Sequence, residues 1–464
     1  MNHKTIWAFT LTSAAAFMVT LDNLVVTTAL PVIRRDLHAS LGGLEWTVNA
    51  YTLTFAVLLL TGAALGDRFG RRRLLAIGLA IFTAASAAAA LAPTIGVLDA
   101  ARAVQGLGGA IVLPLTLTIL SASVPPERRG VAIGAWGGIS GLAVAFGPVV
   151  GGAVVSGFSW NWVFWLNVPI GIVLVPLVLT RLGESHGPHA KVDLRGLALA
   201  SSGLLGIVWG LVRANTVGWG SPEIVGAIGA GAVLTAAFVV WELRAPAPML
   251  PTAFFRDRTF SLANAASLFM SFGMFGSIFL LAQFFQTVQH YSPLASGLRI
   301  LPWTAMPMIV APIAGAVSDR VGGHRLMGAG LALQAGGLAW IAAVSTPTTA
   351  YAELVAPFAI SGIGMALFWA PVANVVLASV PAAAEGQASG ANNAIRELGG
   401  VLGVAVLAAV FAHAGGYGSG RAFTDGMTPA VWIGAGIVLL GSFASFAIRR
   451  APRVPEVVAL EAAA

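Results

Sequence analysis

No cysteine occurs in the 464 residues. That excludes disulfides and thiol chemistry and removes the commonest ligand of a structural zinc site. Charge is scarce as well: Asp, Glu, Lys and Arg make up 9% of the chain, against about 25% in soluble domains. An ordinary globular fold is therefore excluded. Lysine occurs only at Lys4 and Lys191, and no Gly-x-x-x-x-Gly-Lys loop is present to cradle phosphates, so ATP is not the drive. The histidines show no His-Glu-x-x-His spacing; His186 and His189 share a polar loop and read as solvated, not as ligands. No Ser/His or paired-Asp constellation falls within the apolar runs, so nothing reads as an enzyme, and no metal or cofactor is expected. The first apolar run lacks a small-residue cleavage site and reads as a retained helix, not a leader.

What is abundant is apolar surface. Hydrophobic residues are 57% of the chain, in stretches of roughly 20 residues, the length that crosses a bilayer. Fourteen spans are expected, at 6–30, 46–65, 74–92, 95–121, 131–156, 162–182, 196–212, 224–241, 259–283, 295–317, 326–345, 351–378, 388–413 and 429–448. The seventh is the shortest. The net charge of +7 sits between these runs and reads as membrane topology, with no nucleic acid implied. The N-terminal end and alternate loops collect Lys4, Arg68, Arg71, Arg72, Arg73, Arg128, Arg129, Arg181, Lys191, Arg195, Arg244, Arg256, Arg258, Arg320, Arg325, Arg449, Arg450 and Arg453, while the other side holds Arg34, Arg35, Arg213, Arg299 and Arg421. By the positive-inside rule both termini are cytoplasmic. Few lysines with many Ala and Gly suggest a GC-rich bacterial genome, hence a multi-pass protein of the bacterial plasma membrane.

The chain also repeats itself. Gly66-Asp67-Arg68-Phe69-Gly70-Arg71-Arg72-Arg73 returns 252 residues later as Ser318-Asp319-Arg320-Val321-Gly322-Gly323-His324-Arg325. The same offset carries Gly147 and Gly151 onto Gly399 and Gly403, a match that chance alone could produce. Two six-helix bundles (1–190 and 246–464) separated by two inserted helices (191–245) explain the pattern, with a midplane site between the halves. Pro246, Pro248 and Pro251 read as the hinge before the second half.

These residues resemble the major facilitator superfamily, in its fourteen-helix drug:proton antiporter branch. The likeness runs through Leu21-Asp22-Asn23 to Pro31, Gly62 to Arg73, Arg102-Ala103-Val104-Gln105-Gly106, Gly147-Pro148-Val149-Val150-Gly151-Gly152, Trp160-Asn161-Trp162, Asn167-Val168-Pro169-Ile170-Gly171 and Asp193-Leu194-Arg195-Gly196. Two departures are Ala143, where the antiporter motif has glycine, and Asn161, where the branch commonly has arginine. The resemblance implies an all-α membrane protein that exports small, lipophilic or cationic organic molecules in exchange for protons, as a monomer in the lipid bilayer. A dedicated exporter of one endogenous metabolite or self-made antibiotic is the alternative. A membrane sensor that transports nothing is a remote third reading.

Intramembrane charge carries the mechanism, because an ionised group in hydrocarbon is costly. Asp22 lies about 24 Å into the first span at 1.5 Å per residue, and Arg102 reaches a similar depth in the fourth. Burial favours the neutral form of a carboxylic acid and a guanidinium favours the ionised form. A motion that alters their separation would therefore drive proton uptake and release; the plainer reading is that Asp22 only bonds a neighbouring helix and Arg102 is a strut. Asp67, Arg68, Arg71, Asp319 and Arg320 are expected to latch the cytoplasmic ends while the outside is open, or only to fix orientation. Ala143, Gly147, Gly151 and Gly152 with Pro148 should allow tight packing against a helix of the other half and seal leaks, or be ordinary small-residue packing. Arg396 and Glu397 are adjacent, so each should need its own partner. Glu353 and Asp99 read as interfacial, and Trp46, Trp160, Trp162 and Trp219 as interfacial anchors. Asn49, Tyr51, Gln105, Gln286, Trp303, Trp369, Asn374 and Asn393, with Asn264, Gln283 and Asn392, are the candidates for a central cavity.

Overall fold

The computed structural model describes residues 3–186, 193–245, 248, 252–380 and 385–448, without the side chains at 3, 4, 60, 126–131, 133, 134, 319, 370, 385 and 386. The Asp319 side chain, His189, Pro246 and Pro251 thus lie outside the described residues. Sixteen α-helices follow one another: α1 (His3–Asp36), α2 (Leu41–Phe69), α3 (Arg71–Ala90), α4 (Ile95–Ser123), α5 (Pro126–Gly157), α6 (Trp162–Trp165), α7 (Asn167–Arg181), α8 (Leu194–Val217), α9 (Pro222–Glu242), α10 (Arg258–Gln283), α11 (Pro293–Thr304), α12 (Met306–Val321), α13 (Gly323–Val344), α14 (Tyr351–Ala378), α15 (Glu385–Ala414) and α16 (Gly420–Phe446). Among the described residues thirteen spans are long and apolar enough to cross a membrane, and α2, bent by 52°, makes fourteen.

Local chemistry sets the ends. The side chains of Ser40, Thr94, Asp193, Ser221, Asp257, Ser292 and Ser419 each accept a first-turn N–H and start a helix. Helices α2, α8 and α12 stop at Gly70, Gly218 and Gly322, whose φ of 104°, 101° and 97° suits glycine. Several helices outrun the expected spans. The seventh, expected at 196–212, extends over Leu194–Val217. Arg213 and Asn215 end the apolar run there, yet the backbone bonds continue until Gly218, because a helix can project past the hydrocarbon.

Packing follows the repeat. Helix α1 packs on α5, α2 on α4, and α3 on α4 and α7; α10 packs on α15 and α16, and α13 on α14 and α16. Two seams join these groups, α5 against α11 and α2 against α15. Helix α8 lies over the second seam, where Val208 and Val212 meet Leu53, Val57, Val401 and Ala405, and Asn215 donates to the Ala409 carbonyl at 2.6 Å. Helix α9 packs on α8 and is the least buried of the spans among the described residues. The 252-residue offset extends to the backbone: His38 and His290, which follow α1 and the π turn after α10, share the left-handed conformation at φ 50° and 56°.

That offset does not hold for the paired glycines. Gly147 abuts Leu24, whereas Gly399 abuts Leu268, the counterpart of Ala16 and about two turns nearer the arginine-bearing loops. The coincidence of Gly147 and Gly151 with Gly399 and Gly403 is therefore not structural equivalence.

Candidate functional site

Four helices of the first half converge on one buried carboxylate. Asp22 on α1 is 2% exposed and Arg102 on α4 is 1% exposed. Arg102 Nη1 donates to Asp22 Oδ2 at 2.5 Å and to Gln105 Oε1 at 2.7 Å. Gln105, one turn further along α4, donates to Asp22 Oδ1 at 2.8 Å and to Ser86 Oγ on α3 at 2.8 Å. Asn167, the first residue of α7, donates to Asp22 Oδ1 at 2.7 Å. Arg102 also donates from Nε to the Thr47 carbonyl at 3.1 Å, and its guanidinium lies 4.2 Å from the centre of the Tyr51 ring.

The chemistry follows from this inventory. Both charges are desolvated, which is tolerable because Asp22 accepts three hydrogen bonds and Arg102 donates three while lying over the Tyr51 ring. Arg102 keeps a carbonyl, an amide oxygen and an aromatic face when Asp22 is neutral. A proton can therefore come and go at Asp22 without stranding the guanidinium. Asp22 and Arg102 meet, as their similar depth suggested, and Gln105, expected in the central cavity, joins them instead. Asn167, Ser86 and Thr47 were not read as site residues. For Asn167 the signal was its place in the Asn167-Val168-Pro169 motif; Ser86 and Thr47 are uncharged residues without one.

The remaining cavity candidates disperse. Tyr51 and Trp369 line a central cavity of about 80 Å³ between the halves, with Asn23, Phe55, Phe275, Arg396 and Glu397. Asn49 and Trp303 are fully buried, and among the described residues neither the Asn49 amide nor the Trp303 Nε1 has a hydrogen-bond partner. Asn374 is exposed and Asn393 half-buried. Asn392 donates to Asn264 at 3.0 Å and to Ser267 at 2.9 Å, a polar knot inside the second half. Arg396 and Glu397 do pair with each other, Nη2 to Oε1 at 3.3 Å, contrary to the expectation that neighbours cannot. The long guanidinium arm folds back along α15. Trp160 is 4% exposed and so is core, not an interfacial anchor; Trp46 meets Trp209 at 5.9 Å, and Trp162 and Trp219 are exposed. Asp99 accepts from Thr47 at 2.8 Å, and Glu353 is exposed.

The small residues of α5 divide their work. Gly147 and Gly151 face Leu24, Val25 and Thr28 of α1, in their own half. Gly152 and Pro148 do meet the other half as expected: a Cβ on Gly152 would overlap the Pro293 carbonyl, and one on Gly297 would overlap the Pro148 carbonyl. The correction at Gly147 and Gly151 has a simple cause. Four-residue spacing selects one helix face but does not say which neighbour it meets.

Hydrogen bonds join the halves from mid-depth to the end remote from the arginine-bearing loops. Thr304 donates to the Ala145 carbonyl at 2.9 Å, Gln286 to the Thr28 carbonyl at 2.9 Å, and the Leu294 N–H to Ser156 at 3.0 Å. There the Arg34 guanidinium covers Tyr417 at 3.5 Å, and the Tyr417 hydroxyl donates to Gln283. Burial pushes that phenol above its ordinary range, keeping the proton in place. An open cleft of about 1230 Å³, bordered by Arg34, His38, Gln286 and His290, lies at this end.

At the opposite end Asp67 pairs with Arg71 at 2.8 Å. Glu184, which follows α7 and was not anticipated, accepts the Arg72 N–H at 2.9 Å and lies 3.6 Å from the Arg72 guanidinium nitrogen. Arg68 and Arg320 are exposed, as are Phe69 at 52% and Val321 at 41%.

Comparison with known proteins agrees with this architecture. The family model of the Major Facilitator Superfamily matches residues 12–404 and again 264–463. The tetracenomycin C resistance and export protein of Streptomyces glaucescens is 34% identical over 402 residues, covering 86% of this chain and 74% of its own. The multidrug resistance protein Stp of Mycobacterium tuberculosis is 35% identical over 414 residues, covering 89% and 77%. Among solved structures, a bacterial homologue of the human lysosomal transporter Spinster, in an inward-facing and unoccupied conformation, superposes with a TM-score of 0.68 at 17% identity, covering 97% of this chain and 100% of that one.

Proposed function

The chain belongs to the major facilitator superfamily, and from that premise we propose that it exports small organic molecules in exchange for protons, with Asp22 as the proton carrier. It is a multi-pass protein of the bacterial plasma membrane. The observation that carries the reading is the fully buried Asp22–Arg102 pair, joined at 2.5 Å and held by Gln105 and Asn167. Support for a proton carrier over a strut comes from Arg102, which keeps the Thr47 carbonyl, the Gln105 amide oxygen and the Tyr51 ring as partners when Asp22 is neutral. Drug and antibiotic exporters among the relatives supply the direction and the substrate class.

Two six-helix halves, 1–190 and 246–464, rock about the midplane site, and the inserted pair 191–245 rides on one seam. With the arginine-bearing loops assigned to the cytoplasm, both termini are inside and the contacts at Gln286, Thr304 and Leu294 join the halves on the outer side of the midplane. This is the inward-facing state. Asp67 and Arg71 then pair within their own loop, free to re-pair across the halves with Asp319 and Arg320 when the outside opens. Substrate, protons and lipid are the partners, and the working unit is the monomer.

The test is proton movement in everted vesicles, read with a pH-sensitive dye. Substrate-evoked release of protons from the acidified lumen is expected in the wild type and absent in Asp22→Asn. Undiminished release in the variant would refute the assignment. The relative that carries the name of a single antibiotic favours a second reading, export of one metabolite; a response to one compound class only would select it.

A further inference from the structure

Within the exporter reading above, we propose that Glu397 is the counter-charge for a cationic amine on the exported compound, and that Arg396 holds that position until the compound arrives. The carboxylate belongs to α15 and lines the central cavity, while its side chain is only 8% exposed. Its Oε2 has no hydrogen-bond partner among the described residues. Its Oε1 receives one donor, Arg396 Nη2, at 3.3 Å. Charge-assisted bonds of this kind settle at roughly 2.7–2.9 Å, so this contact is loose. A buried carboxylate with one oxygen unmatched and the other weakly matched is costly. The site is therefore incomplete without a further donor.

The surroundings specify that donor. Trp369, Tyr51, Phe55 and Phe275 line the same cavity. Aromatic faces beside a carboxylate attract an organic cation and repel an anion. Arg396 already imitates such a cation: it touches Glu397, and its guanidinium stands 6.0 Å from the Trp369 ring, near the outer limit of that interaction. Both contacts are ones a substrate ammonium would make better.

Size argues the same way. About 80 Å³ admits a charged head group but not the body of a drug, and Arg396 borders that space with its side chain 29% exposed. Displacing it toward the open side makes the room. Asp22 cannot serve instead, since Arg102, Gln105 and Asn167 occupy its oxygens. Proton and substrate thus use different carboxylates on either side of Tyr51, whose hydroxyl is tied to the Val19 carbonyl at 3.4 Å.

Binding to the purified full chain in lipid nanodiscs tests this, by fluorescence anisotropy of ethidium and of its uncharged parent 6-phenylphenanthridine. Glu397→Gln should weaken ethidium roughly tenfold and Arg396→Met should tighten it several-fold, with the uncharged probe unmoved. Opposite signs at adjacent residues are not what a folding defect produces, and Arg396→Met decides alone if Glu397→Gln does not fold. Ethidium binding that ignores Glu397→Gln would overturn the proposal. So would a parallel loss of both probes, or tighter binding of the anion 8-anilinonaphthalene-1-sulfonate that Arg396→Met abolishes. Asp22→Asn should keep ethidium binding. Loss of proton coupling there, or its retention, concerns the exporter reading alone.

Discussion

The two halves of the molecule share a frame and differ in chemistry. A Cβ on Gly106 would overlap the Tyr51 carbonyl, and a Cβ on Gly362 would overlap the carbonyl of Trp303, which lies 252 residues after Tyr51. Gly108 meets Gly78 and Phe82, and Gly364 meets Gly330 and Gln334, again 252 residues on. These approaches equate α4 with α14 at an offset of 256. Arg102 over Tyr51 then corresponds to Phe358 stacked on Trp303, at 6.1 Å between centroids. Asp22 corresponds to Met274, and Gln105 to Ser361. One half has an ion pair where the other has an aromatic and a thioether, on the same close-packed backbone. The second half thus makes the same close approaches without an ion pair at this position. The presence of the charges in one half only is the strongest structural argument that they work.

The comparison can be broken most severely at Arg102. Arg102→Ala should leave a buried carboxylate uncompensated, costing about 3–5 kcal/mol and all transport; thermal unfolding in detergent and vesicle uptake read the two effects. Near-wild-type stability would contradict that cost. Importing the second half's residues as Asp22→Met with Arg102→Phe should instead restore stability close to wild type, because apolar replacement of a whole buried pair is often neutral. Proton-driven transport should stay absent. A double variant as unstable as the single one would show that the network holds the fold.

A smaller effect sharpens the shared frame. Gly106→Ala and Gly362→Ala each push a methyl onto a carbonyl, and each should cost about 1–3 kcal/mol. Equal losses by thermal unfolding support a common scaffold; a large loss in one half alone would undo the equivalence. Smallest is Tyr51→Phe, which removes a weak 3.4 Å hydrogen bond and should cost no more than about 1 kcal/mol. Its ring still faces Arg102, so coupling should persist in the dye assay, whereas Tyr51→Leu should lose it.

Much of this was legible in the sequence, for physical reasons. Spans announce themselves by length, and the repeated Asp-Arg-x-Gly loops gave the offset that α1 and α2 keep. Asp22 and Arg102 stood out because charge in hydrocarbon is rare, and depth alone brought them together. Asn167, Ser86 and Glu184 did not, since polar residues become partners only through helix rotation, which spacing does not encode. The glycines of α5 misled for the same reason: Gly147 and Gly151 share a face, yet it meets α1 and not the other half. Adjacent Arg396 and Glu397 misled differently, because a guanidinium on a long arm escapes the geometry of Cβ atoms.

The most direct test of the central claim is transport by reconstituted Asp22→Asn under two conditions. With equal pH on both sides, exchange of labelled for unlabelled substrate should continue, since the binding site and the rocking motion do not require the proton. With an imposed pH gradient, uphill accumulation should be absent. Gradient-driven accumulation at the wild-type level in that variant would contradict the account and move the proton to another residue.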